Sequence, residues 1–313
     1  MTAETTVCVV GAGAIGSLFA AHLATEPGTR VYVYDVDRAH VAAINRSGLT
    51  VTGASDFTAR VHASFDPADI PPCDFGIVAT KGEHTRSAIA AVAGSLRDAA
   101  VVSVQNGLGN EEAIAQFVPR VIRGTTIIAG ALAGPATVRF DATGSTWIGP
   151  FEPSPAPTPA IERLASLLTT GGLPTSALAD ARGAQWSKLV FNASTSAIAA
   201  LTGLTIGQIG EDPGLHQLVV GLIDEARRIA DAHGIVLDGD PAKMVDAAVA
   251  EAYDHRPSML QDVLAQRRTE VDVLNGGIVA AGAEVGIPAP LHASMVFLVT
   301  GLERHWREPL AGH

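Results

Sequence analysis

Short β-branched runs alternate with stretches of helical periodicity through the first half of the chain, and this alternation is the mark of parallel strands joined by crossover helices. The pattern predicts strands over residues 7–10, 31–35, 75–80 and 101–105 and around 125–128, with helices over 15–25, 39–45, 85–96 and 111–117. Two further runs, 137–140 and 145–148, are separated by Asp-Ala-Thr-Gly and read as an antiparallel hairpin. A Pro-rich stretch at 150–159 interrupts the pattern before a helix near 160–168. From about Arg182 the apolar period becomes 3.6 and stays there, which predicts helices over 183–201, 214–233, 241–253, 258–285 and 291–306. Gly234 and Gly286 follow the last periodic residues of two of these, as helix C-termini require.

The change of period divides 313 residues into two expected domains, an α/β doubly wound domain over 1–181 and an all-α domain over 182–313. Hydrophobic residues make up 47% and charged residues 17%, enough to fill a core and too apolar for disorder. Aromatics are only 5% and the net charge is −11 at pH 7, so neither base stacking nor attraction to a phosphate backbone is available and nucleic acid is excluded as a partner. No apolar run approaches the roughly 18 residues of a membrane span, and no secretory leader is read, so a cytoplasmic protein without a membrane partner is expected. Cys8 and Cys73 adjoin apolar runs and read as reduced core thiols. The Ala-rich helices leave room for a homodimer without requiring one.

The first functional motif is Gly-Ala-Gly-Ala-Ile-Gly, residues 11–16, set after a strand and before an Ala-rich helix. In that context Gly11 makes the tight turn, Gly13 lets backbone approach a pyrophosphate, and Gly16 lets helix pack on strand. Ala14 and Ile15 open the helix whose N-terminus faces the anion. The next strand ends in Asp35, where a carboxylate accepts hydrogen bonds from an adenosine ribose and repels a 2′-phosphate. NAD(H) is therefore favoured over NADP(H), although Arg38 is near enough to pair with a phosphate.

Lys81 and Asn106 follow two predicted strands, and ligands of open α/β sheets gather at such carboxyl ends. The chain holds only three lysines, Lys81, Lys188 and Lys243, against 18 arginines. Either codon usage or a need for an ammonium that can release its proton accounts for the three. Lys188, Asn192 and Thr195 or Ser196 share one face of a helix that is apolar elsewhere, and a buried polar stripe of this kind needs partners or a ligand. Glu270 lies seven residues after Val263 and four before Leu274, at the flank of an apolar stripe, and Ser258 with Gln261 makes a capping box. Glu251 and His255 have metal-ligand spacing but lie on an exposed helix end, and no metal is assigned.

Taken in order, GAGAIG, Thr-Lys at Lys81, Gln-Asn-Gly at Asn106, Lys-Leu-x-x-Asn at Lys188, and Ser-Met-Leu-Gln-Asp followed by Arg-Arg-Thr-Glu at Glu270 resemble the ketopantoate reductase family through nearly the whole chain. The resemblance implies a Rossmann-type domain followed by a helical domain, an active site in the cleft between them, and hydride transfer to the C2 ketone of a 2-oxo acid. It implies that Lys188 is the general acid and that Glu270 holds that lysine and the bound ligands. It further implies that Asn106 and Lys81 position the nicotinamide end and the substrate, and that Asn192 and Ser258 bind the substrate's polar groups. The chain departs from the family at Ser196 and His255, where pantoate-forming members carry asparagine, and at Asp35, where they carry a basic residue.

These departures leave two substrates in competition, ketopantoate and a bulkier acid of the mandelate type, and both keep Ser196 and His255 among the candidate substrate contacts. A different class, a regulatory protein that binds NAD(H) without turnover, would need the glycine loop and Asp35 but neither Lys188 nor Glu270.

Overall fold

The computed structural model describes residues 4–307. The extreme ends of the two expected domains, residues 1–3 and 308–313, lie outside the described residues. The chain forms two compact units, one of Met1–Gln105 with Asn110–Ala181 and the other of Asn106–Gly109 with Arg182–His313.

The first unit runs β1 (Thr5–Val10), α1 (Ala14–Leu23), β2 (Thr29–Tyr34), α2 (Arg38–Ser47), β3 (Leu49–Gly53), β4 (Phe57–Ala59), β5 (His62–Ser64), β6 (Phe75–Val78), α3 (Thr85–Val92), β7 (Ala100–Ser103), α4 (Asn110–Ala115), β8 (Val121–Thr126), β9 (Ala129–Gly134), β10 (Thr137–Ala142), β11 (Thr146–Pro150), α5 (Thr158–Thr170) and β12 (Thr175–Ala177). Its main sheet has the order β12-β11-β8-β7-β6-β1-β2-β5 and is parallel from β8 to β5. Strand β1 is flanked by β2 on one side and β6 on the other, so the winding reverses beside it. In such sheets this switch point opens a crevice at the strand's carboxyl end. Val7, Cys8, Val9 and Val10 are fully buried, which is why these strands read as continuous apolar runs.

A second sheet, β4-β3-β10-β9, corrects the expected hairpin of residues 137–140 with 145–148. Strand β10 pairs with β9 (Val138 opposite Leu132) and with β3 (Val138 opposite Val51), whereas β11 pairs with β8 in the main sheet (Thr146 opposite Thr126). Burial explains the choice. Val138 and Phe140 are buried in the cluster that also holds Phe19 and Leu18 of α1, and α1 lies against β9, β10 and β3 of this sheet.

The second unit contains α6 (Arg182–Thr202), α7 (Ile206–Glu211), α8 (Pro213–Ala232), α9 (Pro241–Glu251), α10 (Ser258–Leu264), α11 (Asn275–Glu284) and α12 (Pro290–Arg307). Helix α6 packs against α8, α9, α10 and α12, so it is buried nearly all round. Asp212 and Asp240 cap α8 and α9 from positions just before a helical proline, and Thr205 with Gln208 forms a capping box on α7. Among the described residues no helix is long and apolar enough to cross a membrane.

Two expectations for residues 258–285 are overturned. One long helix is replaced by α10 and α11 with a non-helical turn between them, and Ser258 makes no capping box, because Pro257 occupies the N-cap position and Gln261 donates instead to the Arg256 carbonyl. Helix α10 stops in a Schellman geometry: Arg267 N donates to Asp262 O at 2.8 Å, Gln266 N to Val263 O at 2.9 Å, and Gln266 adopts φ +50°. A glycine at that position would have announced the stop, and the sequence has glutamine. Gln266→Gly should therefore raise stability by about 1 kcal/mol, since glycine accepts left-handed backbone without steric cost. In an uninterrupted helix the same change would cost about 1 kcal/mol, so the sign of the shift in denaturant unfolding decides between the two geometries.

Candidate functional site

The glycine loop is built by close backbone approach. Gly11 has φ +94°, and a Cβ there would lie 2.7 Å from the Thr80 methyl. A Cβ on Gly16 would lie 1.8 Å from the Gly11 carbonyl oxygen, so any side chain would push α1 off the loop. Gly13 has open space where its Cβ would be. It is the N-cap of α1, makes no side-chain cap, and is followed by Ala14 and Ile15 with no acidic residue in the first turn. The amides at this helix start are thus left for an anion, which fits a pyrophosphate. Asp35 braces the loop from the end of β2: Oδ2 accepts from Ala12 N at 2.6 Å and Oδ1 from Asp37 N at 2.8 Å. The Arg38 guanidinium lies 3.9 Å over the Phe65 ring.

Lys81 stands three residues beyond the end of β6, which stops at Val78 and not at the expected residue 80, and is half-buried. Beside it the buried side chain of Gln105 donates to Thr80 O at 2.8 Å and to Thr85 Oγ1 at 2.7 Å, and Thr85 Oγ1 in turn donates to Asn110 Oδ1 at 2.9 Å. This network fixes the residues on either side of Asn106–Gly109. Its members escaped the sequence reading, although Gln105 adjoins Asn106 in the quoted motif.

Three candidates meet in the second unit. Lys188 Nζ donates to Asn106 Oδ1 at 2.8 Å, and Asn106 Nδ2 donates to Glu270 Oε2 at 3.0 Å. Asn106 thereby links the ammonium to the carboxylate through one amide. Burial pushes the Lys188 pKa down to about 8, with the charge of Glu270 acting in the opposite sense. Glu270 is half-buried, as its place at the flank of an apolar stripe suggests, but it lies in the turn between α10 and α11 and not on a helix.

Asn192 stands one helical turn after Lys188 on α6, half-buried, and Ser196 is buried a further turn on. Thr195 donates its hydroxyl to the Phe191 carbonyl at 2.8 Å and keeps its acceptor lone pairs. Ser258 and His255 are exposed, at the first residue of α10 and in the loop before it. No group of three or more metal-ligating side chains occurs among the described residues.

Comparison with known proteins supplies a family. Residues 7–153 match ketopantoate reductase PanE/ApbA, and residues 180–303 match the C-terminal part of the same family. The 2-dehydropantoate 2-reductase of Pyrococcus horikoshii is 31% identical over 297 residues, spanning 95% of this chain and 97% of its own. A PanE/ApbA family ketopantoate reductase from Ralstonia eutropha JMP134 superposes with a TM-score of 0.88 at 29% identity, covering 97% of this chain and 100% of that one. D-mandelate dehydrogenase in complex with NADH gives a TM-score of 0.86 at 25% identity over 96% of this chain and 99% of its own. The chain belongs to the ketopantoate reductase family and is an oxidoreductase of that type.

A lysine whose folded pKa is lowered penalises the fold below that pKa, and the penalty fades as pH rises towards the ordinary value of 10.5. Wild-type protein should therefore gain up to about 3 kcal/mol of stability relative to Lys188→Met between roughly pH 8 and pH 10.5. Denaturant unfolding of both proteins across that range measures it, and parallel curves would place the titration elsewhere.

Proposed function

We propose that the protein interconverts a small 2-oxo acid and the matching 2-hydroxy acid, with hydride passing between C4 of a nicotinamide dinucleotide and C2 of the acid, and with NAD(H) favoured over NADP(H). The observation that carries this reading is the row Lys188–Asn106–Glu270, an ammonium pushed down to a pKa of about 8 and held at 2.8 Å by an amide that is itself tied to a carboxylate. Such an ammonium is acidic enough to give up its proton near neutral pH, which arginine is not.

In this reading residues 1–181 hold the dinucleotide and residues 182–313 hold the acid. Gly11, Gly13, Ala14, Ile15 and Gly16 receive the pyrophosphate, Asp35 the adenosine ribose, and Lys81 and Asn106 the nicotinamide end. The dinucleotide, when bound, supplies the hydride for reduction and takes it up in oxidation. Lys188 stabilises the charge that grows on the C2 oxygen and donates its proton there. Glu270 keeps the ammonium charged and, through Asn106, aimed. Asn192, Ser196, His255 and Ser258 contact the substrate's polar groups and side chain.

Asp35 supports the NAD(H) preference, since its carboxylate is fixed by two backbone amides and a 2′-phosphate would have to approach that charge. Arg38 is stacked on Phe65 and so engaged elsewhere. A second reading of the substrate, a bulkier acid of the mandelate type, is supported by the likeness to D-mandelate dehydrogenase and by serine and histidine at the two positions where asparagine would serve pantoate.

Lys188→Ala should lower turnover by about 10³-fold while leaving NADH affinity within about twofold. The rate of 2-oxo acid reduction should fall as pH rises through about 8, and that of 2-hydroxy acid oxidation should rise over the same interval. Full activity of Lys188→Ala would remove lysine from the mechanism, whereas NADH binding with no turnover of any 2-oxo acid by the wild type would favour a cofactor-binding protein without turnover. Initial rates with ketopantoate and with an aromatic 2-oxo acid discriminate the two substrates. Separately, Asp35→Ser should shift the ratio of NADPH to NADH affinity about tenfold towards NADPH, relief of one like-charge repulsion being worth about 1 kcal/mol or slightly more. An unchanged ratio would assign the preference to another residue.

A further inference from the structure

Glu303 is a carboxylate with 5% exposure near the C-terminal end of α12, where the helix dipole gives a negative charge no help. Burying a carboxylate there is costly unless strong hydrogen bonds offset it. Its Oε1 accepts from Thr269 N at 2.8 Å and from Thr269 Oγ1 at 2.6 Å. Both bonds go to the residue immediately before Glu270, in a turn that no helical ladder holds.

The rest of the turn is anchored to match. Glu270 O accepts from Leu274 N at 3.0 Å, which fixes the carboxylate's backbone on its other side. Val273 O accepts from Leu108 N at 3.0 Å, and Gly107, at φ +82°, comes so close that a Cβ would lie 2.4 Å from that same carbonyl oxygen. The segment carrying Asn106 thus rests on the turn carrying Glu270. The turn's own arginines are paired, Arg267 with the buried Asp262 of α10 and Arg268 with Asp272. The far end of α12 is fixed as well, because the buried Glu225 of α8 accepts from Leu291 N at 3.0 Å and His292 N at 3.2 Å.

We propose that Glu303, acting through Thr269, is a positioning residue that sets where the Glu270 carboxylate stands and therefore how Asn106 presents itself to Lys188. The inference rests on the role given above to Lys188. It differs from that role in predicting that a side chain remote from the reacting atoms controls both the ionisation of Lys188 and turnover. If the clamp is released, Glu270 moves away, its attraction for the ammonium weakens, and the aim of the proton donor is lost.

The test uses full-length protein labelled with ¹³Cε-lysine, in which only three lysines give signals and Lys188→Arg identifies the one of interest. Thr269→Val removes the hydroxyl bond and keeps the amide bond, whereas Glu303→Leu removes both. Each should lower the titration midpoint of Lys188 by about half a pH unit or more and reduce kcat for 2-oxo acid reduction at least about tenfold, with KM for NADH unchanged. Glu303→Gln and Thr269→Ser retain an acceptor and a donor, and both should stay within about twofold of wild type. A wild-type midpoint and kcat in Thr269→Val would overturn the proposal, and so would equal losses in Glu303→Gln and Glu303→Leu. Thr269→Val carries the decision where Glu303→Leu fails to fold. Turnover retained in Lys188→Ala would instead defeat the role of Lys188, and the NMR midpoint would still report the clamp without reference to catalysis.

Discussion

An ammonium set among apolar side chains has to be satisfied or discharged, and the arrangement of the helical unit follows from how Lys188 meets that condition. Its neighbours on α6 include the buried Leu189 and Val190, so the charge loses water with little in exchange from its own helix. One bond to Asn106 and the field of Glu270 compensate in part, and the balance leaves the group near pKa 8 instead of 10.5. A closer carboxylate would hold the proton too firmly for release at neutral pH. With none, burial would act unopposed and lower the pKa further. The amide of Asn106 occupies the middle ground, because it passes on the orientation of Glu270 without adding a second negative charge. Its Nδ2 must face the carboxylate and its Oδ1 the ammonium, so the two partners fix the amide's sense.

That requirement reaches back into the chain. Residues Asn106–Gly109 group with the helical unit, while Gln105 and Asn110 on either side belong to the sheet unit and are bonded there through Thr80 and Thr85. Four residues must therefore leave one unit and return within a very short span. Gly107 makes this possible by taking positive φ and by lacking a Cβ where the Val273 carbonyl stands. Asn-Gly, which reads locally as a turn, is here a means of carrying an amide side chain to Lys188.

The sequence disclosed most where one residue type has one physical use. The glycine loop was legible because Gly11 and Gly16 admit no side chain, and β1 because a strand buried on both faces is a plain apolar run. Caps at Asp212 and Asp240 and the stop at Gly234 bracket helices close to where the periodicity placed them. What could not be read were features whose partners are distant in sequence or whose residue is not the favoured one. Periodicity runs through Gln266, which makes a left-handed stop without glycine, although a helix as long as 258–285 containing Gly276 and Gly277 was itself a warning. Residues 137–140 found their partners in β9 and β3, not in the next run, because pairing follows the buried face of Val138 and Phe140 and the chain only permits it. Lys188 and Glu270 were singled out for the right neighbourhood, but Glu270 reaches it from a turn whose clamp, Glu303, lies 33 residues further on.

The scarcity of lysine acquires a physical meaning from the same comparison, though not a uniform one. Arginine does the packing: Arg38, Arg86, Arg123 and Arg163 lie over Phe65, Phe117, Phe151 and Phe75 at 3.9 to 5.5 Å, a use for which a flat, delocalised cation is suited. Lys243 is exposed in the first turn of α9, where either cation would serve, so scarcity alone does not mark a site. Lys188 is different in kind. Burial cannot usefully discharge a guanidinium, whereas an ammonium loses affinity for its proton by degrees, and the enclosure on α6 brings it close to neutrality. An arginine at this position would keep its charge, whereas the ammonium of Lys188, beside the Asn106 amide and the Glu270 carboxylate, is a cation whose charge can be adjusted.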